Sequence, residues 1–159
     1  MSSPEVLSYV AGFLDGDGCI NVQLVRRKDY RLGYQIRPSV TFFQKQKHRA
    51  FLEWLQSVFQ AGYIRERKDG MSEYSVVDVK SVDQILAQLR PYIRLKQRQC
   101  DLVLEIVAEL KHSSRLSPQD FLTLARKVDV FEELNDSKKR TIKSSQVAEF
   151  MGVQHILIP

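Results

Sequence analysis

Tyr9-Val10-Ala11-Gly12-Phe13-Leu14-Asp15-Gly16-Asp17-Gly18 is an apolar, small-residue run that passes into two carboxylates set among glycines. Gly12 and Gly16 lie four apart and share a helix face with room for a second helix to approach closely, and Ala11 adds to it. Asp15 and Asp17 fall where such a helix ends, so two symmetry-related copies would deliver acids to one place. Carboxylates that close repel unless a cation stands between them. Hard oxygen ligands suit magnesium or calcium rather than zinc, and two-metal sites hydrolyse phosphodiesters by stabilising the attacking and leaving oxygens. Plainer readings stand beside this one: a tightly packed helix, and Asp-Gly-Asp-Gly as a turn. An EF-hand loop counted from Asp15 is excluded. Cys19, Ile20 and Arg26 occupy the places of an oxygen ligand, a glycine and the closing glutamate.

Outward from this stretch, Ser2 or Ser3 caps a helix over 4–14 with Pro4 in its first turn. Residues 20–27 switch to period two, with Ile20, Val22 and Leu24 on one face and Asn21, Gln23 and Val25 on the other. A polar connection over 28–33 leads to a second alternating run over 34–43, which makes a long antiparallel hairpin. Helical spacing returns over 48–59. A second hairpin, 63–67 and 73–79, turns around Lys68-Asp69-Gly70. Ser81 begins a helix that stops near Pro91, residues 97–110 form another, and Ser117-Pro118 opens one toward Val128. Short helices around a basic loop at 135–143 complete the chain. The expected fold is α+β: helix-strand-strand-helix-strand-strand-helix, one antiparallel sheet backed by helices, and a helical C-terminal tail. With no second copy of the motif, residues 1–159 are expected to form one domain, core about 4–112 and tail about 117–159.

The chain has 159 residues, 43% hydrophobic and 27% charged, enough to bury a substantial core. No apolar run approaches a membrane span, and the start lacks a signal-peptide pattern, so no membrane partner is expected. Cys19 and Cys100 have no metal or disulfide spacing, which suits a reducing compartment; with the single Trp54 they read as packing residues. Net charge is +5, but its placement says more. Residues 21–50 hold eight basic residues (Arg26, Arg27, Lys28, Arg31, Arg37, Lys45, Lys47, Arg49) against Asp29 alone. Such a concentration beside isolated carboxylates points to a polyanion partner and a metal, or to a solvated charged surface.

The motif resembles that of the LAGLIDADG homing endonucleases, with Val10, Phe13, Leu14 and Gly16 as departures. The likeness to the single-motif, homodimeric branch of chloroplast group I introns extends through Thr41-Phe42-Phe43-Gln44-Lys45, Gly62-Tyr63-Ile64-Arg65, Leu95-Lys96-Gln97-Arg98-Gln99 and Leu134-Asn135-Asp136-Ser137-Lys138. The resemblance implies that Asp17 binds the catalytic metals with the backbone carbonyl of Gly16, while Asp15 caps backbone. It places a glutamine, a lysine and a further basic residue around the acid, on Gln44, Lys96 and His48. Histidine there is a departure from arginine, which neighbouring Arg49 could partly offset. A lysine near the scissile phosphate would offset charge that develops in the transition state. Outside the resemblance, Lys96 is a helix-start lysine in the run Arg94, Lys96, Arg98, and His48 an ordinary surface histidine.

A two-stranded β-ribbon fits the major groove, where base edges are distinguishable. Asn21, Gln23, Val25, Arg27, Gln35, Arg37 and Thr41 of the first hairpin, and Arg65, Arg67, Glu73 and Ser75 of the second, are the expected base-contacting set. Any half-buried sheet has a polar outer face; the basic excess and the resemblance favour base contact here. Lys28, Arg31, Lys138, Lys139, Arg140 and Lys143 are assigned to phosphates. Val10, Ala11, Gly12, Leu14 and Asp15 are the expected dimer interface.

The function so implied is a homodimeric, site-specific homing endonuclease. It makes a metal-dependent double-strand break in a long pseudo-palindromic DNA target and thereby starts intron mobility. The implied cofactor is Mg2+, with Mn2+ substituting and Ca2+ binding without cleavage, and no small-molecule cofactor. Cutting lies across the central minor groove and leaves staggered ends, with bending as the source of specificity there. The implied location is the chloroplast or another organelle, or the cytoplasm of a prokaryote. Rival readings are an RNA-splicing maturase, a non-cleaving DNA-binding protein on the same fold, and a purely structural dimer.

Overall fold

Ser3 opens the first helix, α1 (Pro4–Asp17), its hydroxyl accepting from the Val6 amide at 3.4 Å with proline in the first turn. In this computed structural model, which describes residues 2–113, 115–135 and 142–153, α1 runs three residues past the expected end at Leu14. Asp15, Gly16 and Asp17 form its last turn rather than a turn of their own, and the Gly18 amide closes it on the Leu14 carbonyl.

Strands β1 (Gly18–Arg26) and β2 (Tyr34–Lys45) form the long hairpin, in register from Gly18 opposite Phe42 to Arg26 opposite Tyr34. A 3-10 turn at Gln46–His48 leads into α2 (Arg49–Phe59), followed by β3 (Tyr63–Glu66) and β4 (Met71–Val76). The last of these begins and ends earlier than the expected 73–79. Val79 instead starts α3 (Val79–Leu89), because the Asp78 carboxylate caps it by accepting from the Ser81 amide at 2.8 Å. A second 3-10 turn, Arg90–Tyr92, precedes α4 (Gln97–His112); α5 (Pro118–Asp129), α6 (Phe131–Leu134) and α7 (Ser144–Val153) follow.

The sheet order is β1-β2-β4-β3, antiparallel throughout, and the expected α+β arrangement is present. Alternation sends Ile20, Val22, Leu24, Ile36, Val40, Phe42, Tyr74 and Val76 into the core with the buried faces of the helices. Phe13 stacks on Phe42 (6.1 Å, 8°) and Phe42 on Tyr74 (5.8 Å, 13°), tying α1 across β2 to β4. Each such pair adds about 1 kcal/mol beyond its buried area. No helix of the described residues is long and apolar enough to cross a membrane.

Candidate functional site

The last turn of α1 is held from the segment that leads into α4. The Asp15 carboxylate, buried to 9% exposure, accepts from the backbone amides of Arg94 (2.6 Å), Leu95 (3.2 Å) and Lys96 (3.1 Å). In return the Lys96 ammonium donates to the Leu14 carbonyl at 3.1 Å and to the Asp15 carbonyl. Asp15 therefore caps backbone, as expected, although that backbone lies some eighty residues further along. Gly16 and Asp17, which follow directly, are exposed.

Gln44, next to last in β2, is on the helix-bearing side of the sheet, two residues beyond Phe42 and opposite Ser72. It lines a shallow hollow with His48, Tyr9, Phe13 and Phe51. His48 is exposed, in the 3-10 turn that precedes α2. Lys96 thus attaches to the end of α1, while Gln44 and His48 share a hollow with its Tyr9 and Phe13. Arg49 does not join them. Its guanidinium pairs instead with Glu53 (2.9 Å) and Glu66 (3.0 Å), which also raise its pKa.

The donor set for a cation on one chain is the Asp17 carboxylate and the carbonyls at the end of α1. These are hard oxygens of the kind magnesium and calcium take. No group of three or more His, Cys, Asp and Glu side chains that could hold a metal occurs among the described residues. Two or three oxygens fall short of the six or so such ions require, so the set fits a site completed by a second chain, substrate and water.

The interface assignment for α1 needs correction. Val10, Ala11 and Leu14 are wholly buried in the chain's own core, and the Asp15 side chain is committed to the backbone of residues 94–96. Residues 7, 10, 11 and 14 form the helix face turned to the sheet; the opposite face holds Tyr9, Gly12 and Gly16. A methyl group built on Gly12 or Gly16 would meet nothing within 4 Å, and Tyr9 is 58% exposed. Trp54, expected to be a packing residue, is partly exposed, edge-on to Tyr9 (6.0 Å) and tilted against Phe51 (5.6 Å).

On the sheet face away from the helices, the register aligns Asn21 with Ser39, Gln23 with Arg37 and Val25 with Gln35. Cys19, Thr41, Ser75 and Tyr63 form the next row, then Phe43, Glu73 and Arg65. Arg27, just past β1, donates to the Gln35 amide oxygen at 3.1 Å. Two assignments are revised here. Ser75 is buried and shares a hydrogen bond with the Thr41 hydroxyl at 3.1 Å. Glu73, 8% exposed, pairs with Arg65 (2.7 Å) and lies 3.9 Å from Arg67, which also pairs with Asp69 (2.8 Å). Both residues support the face from beneath rather than reaching a base.

Ser39, on this face by the alternation of its strand, was left out of the expected contact set, and Phe43 and Tyr63 were missed, although the same alternation places them there. Asn135 was also missed as an individual contact. Its amide donates to the Ile20 carbonyl (3.2 Å) and the Asn21 side-chain oxygen (3.4 Å), and no local pattern marks it. Among the phosphate candidates, Lys28 is exposed at the hairpin tip, and Arg31 donates to the Leu116 carbonyl at 2.8 Å. Lys143 pairs with Glu132 at 2.9 Å. Lys138, Lys139 and Arg140 lie outside the described residues.

Comparison with known proteins gives a concordant result. The family described as LAGLIDADG endonuclease matches residues 10–115. The DNA endonuclease I-CvuI of Chlorella vulgaris is 42% identical over 142 residues, covering 89% of this chain and 87% of that protein. The DNA endonuclease I-CreI of Chlamydomonas reinhardtii is 38% identical over 143 residues, covering 90% and 86%. A crystal structure of I-CvuI in complex with its target in the presence of 2 mM Ca matches with a TM-score of 0.89 at 39% identity over 95% of both chains. A second I-CvuI structure, with the I-CreI target and 2 mM Mg, contains uncleaved DNA and matches equally well.

Proposed function

The chain belongs to the LAGLIDADG endonuclease family, and we propose that it acts as a homodimeric homing endonuclease making a double-strand break in a long pseudo-palindromic DNA target. The observation that carries this reading is the end of α1, where an exposed Asp17 follows a helix whose free face, Gly12 and Gly16, is bare. Two such helices packed along that face bring both Asp17 carboxylates to the two-fold axis, one for each DNA strand.

Asp17 and the Gly16 carbonyl would hold the divalent cation; Mg2+ is the working ion, Mn2+ substitutes, and Ca2+ binds without supporting cleavage. When bound, the cation supplies positive charge for the attacking and leaving oxygens of the phosphodiester. The remaining chemistry belongs to side chains. Gln44 and His48 orient water beside the scissile phosphate, and Lys96 screens its developing charge from the end of α1. Asn21, Gln23, Val25, Arg27, Gln35, Arg37, Thr41, Arg65 and Arg67 face the major groove, while Lys28 and the basic tail follow phosphates. The family resemblance implies action in the chloroplast or another organelle, in the service of intron mobility.

The test is cleavage-site selection from randomised pseudo-palindromic duplexes with Mg2+, with Ca2+ and Asp17→Asn as controls. Double-strand cutting of a narrow family of near-symmetric sites, abolished by Asp17→Asn, is the expected result. Tight selection without cutting would instead identify a binding protein, and neither selection nor cutting would direct the search to RNA.

A further inference from the structure

At the end of the first hairpin remote from Asp17, Gly33 has φ +76°, the left-handed region that favours glycine. Flexibility is not its only role. A Cβ at Gly33 would lie 2.4–3.0 Å from three ring atoms of Phe150, so that ring rests directly against the hairpin backbone. Tyr34 meets Phe150 edge-on at 5.7 Å, and the Arg26 guanidinium lies 4.1 Å from the centre of the Phe150 ring and 4.9 Å from that of Tyr34. Arg26 and Tyr34 are the last opposed pair of the hairpin, and the tip closes through the Arg27 amide on the Gly33 carbonyl at 2.9 Å.

Phe150 is itself well anchored. Val147 and Met151, on the same helix, are wholly buried, and Asp129 at the end of α5 accepts from the Ser144 amide (3.0 Å) and hydroxyl (2.5 Å) at the start of α7. A helix fixed at its base thus presses an aromatic ring onto the tip end of the hairpin, well beyond the residues that pair with β4. The exposed Arg26 guanidinium, over both rings, adds a cation–π attraction that biases the tip toward one orientation.

We propose that Phe150 is a positioning residue for DNA recognition: through Gly33, Tyr34 and Arg26 it sets the orientation of residues 27–33 and so the readout of the outer base pairs of each half-site. This rests on the DNA-endonuclease reading above. Eight residue steps separate Gly18 from Arg26, roughly 26 Å at about 3.3 Å per step. With base pairs about 3.4 Å apart, the tip faces DNA about eight base pairs further out than the catalytic end of β1.

The test compares the full chain with Phe150→Ala and Phe150→Leu, each first checked for cooperative unfolding. If Ala does not fold, the milder truncation to Leu, which keeps an apolar side chain but removes the ring, carries the comparison. Site selection is expected to lose discrimination by about tenfold at base pairs near the tip, with inner positions and the cutting rate on the best site unchanged. Amide hydrogen exchange over 27–33 is expected to accelerate by a similar factor, with 18–24 unaffected. A uniform loss of affinity at all positions, or unchanged outer preferences in a folded variant, would overturn the proposal. Exchange is read without DNA. Should the wild-type chain select no DNA, the endonuclease reading fails, and unchanged exchange at 27–33 would separately refute the brace.

Discussion

Asp15 and Lys96 lock two helices end to end by exchanging roles. The Asp15 carboxylate accepts the Lys96 amide at 3.1 Å at the start of α4, and the Lys96 ammonium returns to the Asp15 carbonyl in the last turn of α1. Each charge sits at the helix end whose dipole it offsets, anion at the N-terminus and cation at the C-terminus. The two residues that follow Asp15 are those proposed to hold the metal. A joint between helices therefore fixes where the candidate catalytic acid stands.

Asp15→Asn should keep the shape and lose the charge that three backbone amides now share. Stability is expected to fall by about 2 kcal/mol, the scale of hydrogen bonds to an ionised, nearly buried group. Urea unfolding measures it. Because Asp15 is not a proposed metal ligand, the folded variant should still cut DNA, unlike Asp17→Asn.

Lys96→Met and His48→Ala separate a dual role from a single one. Lys96 caps α1, so its loss should cost about 1 kcal/mol of stability and slow cutting about a hundredfold, with DNA affinity little changed. His48 is exposed in its turn, so its loss should leave stability within about 0.5 kcal/mol and slow cutting about tenfold. Paired unfolding and single-turnover measurements distinguish them. Equal stabilities for the two variants would mean that the ammonium adds nothing to the helix joint.

Glu73→Gln releases Arg65 from a nearly buried partner and removes one negative charge from the sheet face. Affinity for random DNA should rise several-fold at low salt, since one more cation is free to meet phosphate. Discrimination at the bases facing Arg65 and Arg67 should fall. Competition binding with specific and random duplexes reads both, and tighter specific binding with sharper preference would contradict the supporting role.

Burial, and secondarily the Asp101 carboxylate beside it, pushes the Cys100 thiol up from 9.0 to about 11. An unfolded chain ionises this thiol first, so stability is whole below about pH 9 and declines as pH rises toward 11. Cys100→Ala should flatten the part of that decline between pH 9 and 10, where the unfolded chain's tyrosines, with pKa about 10, are at most half ionised. Chemical denaturation across that interval measures the slope.

Much of this was legible in local pattern. Ser3 with Pro4 and Ser117 with Pro118 marked helix starts that the structure places at Pro4 and Pro118. Period-two runs marked the first hairpin, because alternate residues of a half-buried strand must differ in polarity, and the Lys68-Asp69-Gly70 turn marked the second. The misplaced boundaries have a common cause: a side chain that bonds backbone. Asp78 draws Val79 into a helix, and Asp15 keeps the last turn of α1 wound by bonding to amides some eighty residues away. Glu73 and Ser75 look like surface polars in sequence, and only their partners across the sheet reveal otherwise.

The sequence by itself determined the family, the order of helices and strands, and the acids, glutamine and lysine from which a site is proposed. The elements and the acids follow from residue type and spacing along the chain, the glutamine and lysine from the family resemblance. Only the tertiary structure decided which face of α1 is free, that Arg49 is bound elsewhere, and that Phe150 reaches Gly33. A 3.6-residue period fixes which side chains share a face but not how the helix is rotated about its axis. Val10, Ala11 and Leu14 formed as plausible an interface as Tyr9, Gly12 and Gly16 until packing against the sheet buried one face and left the other open.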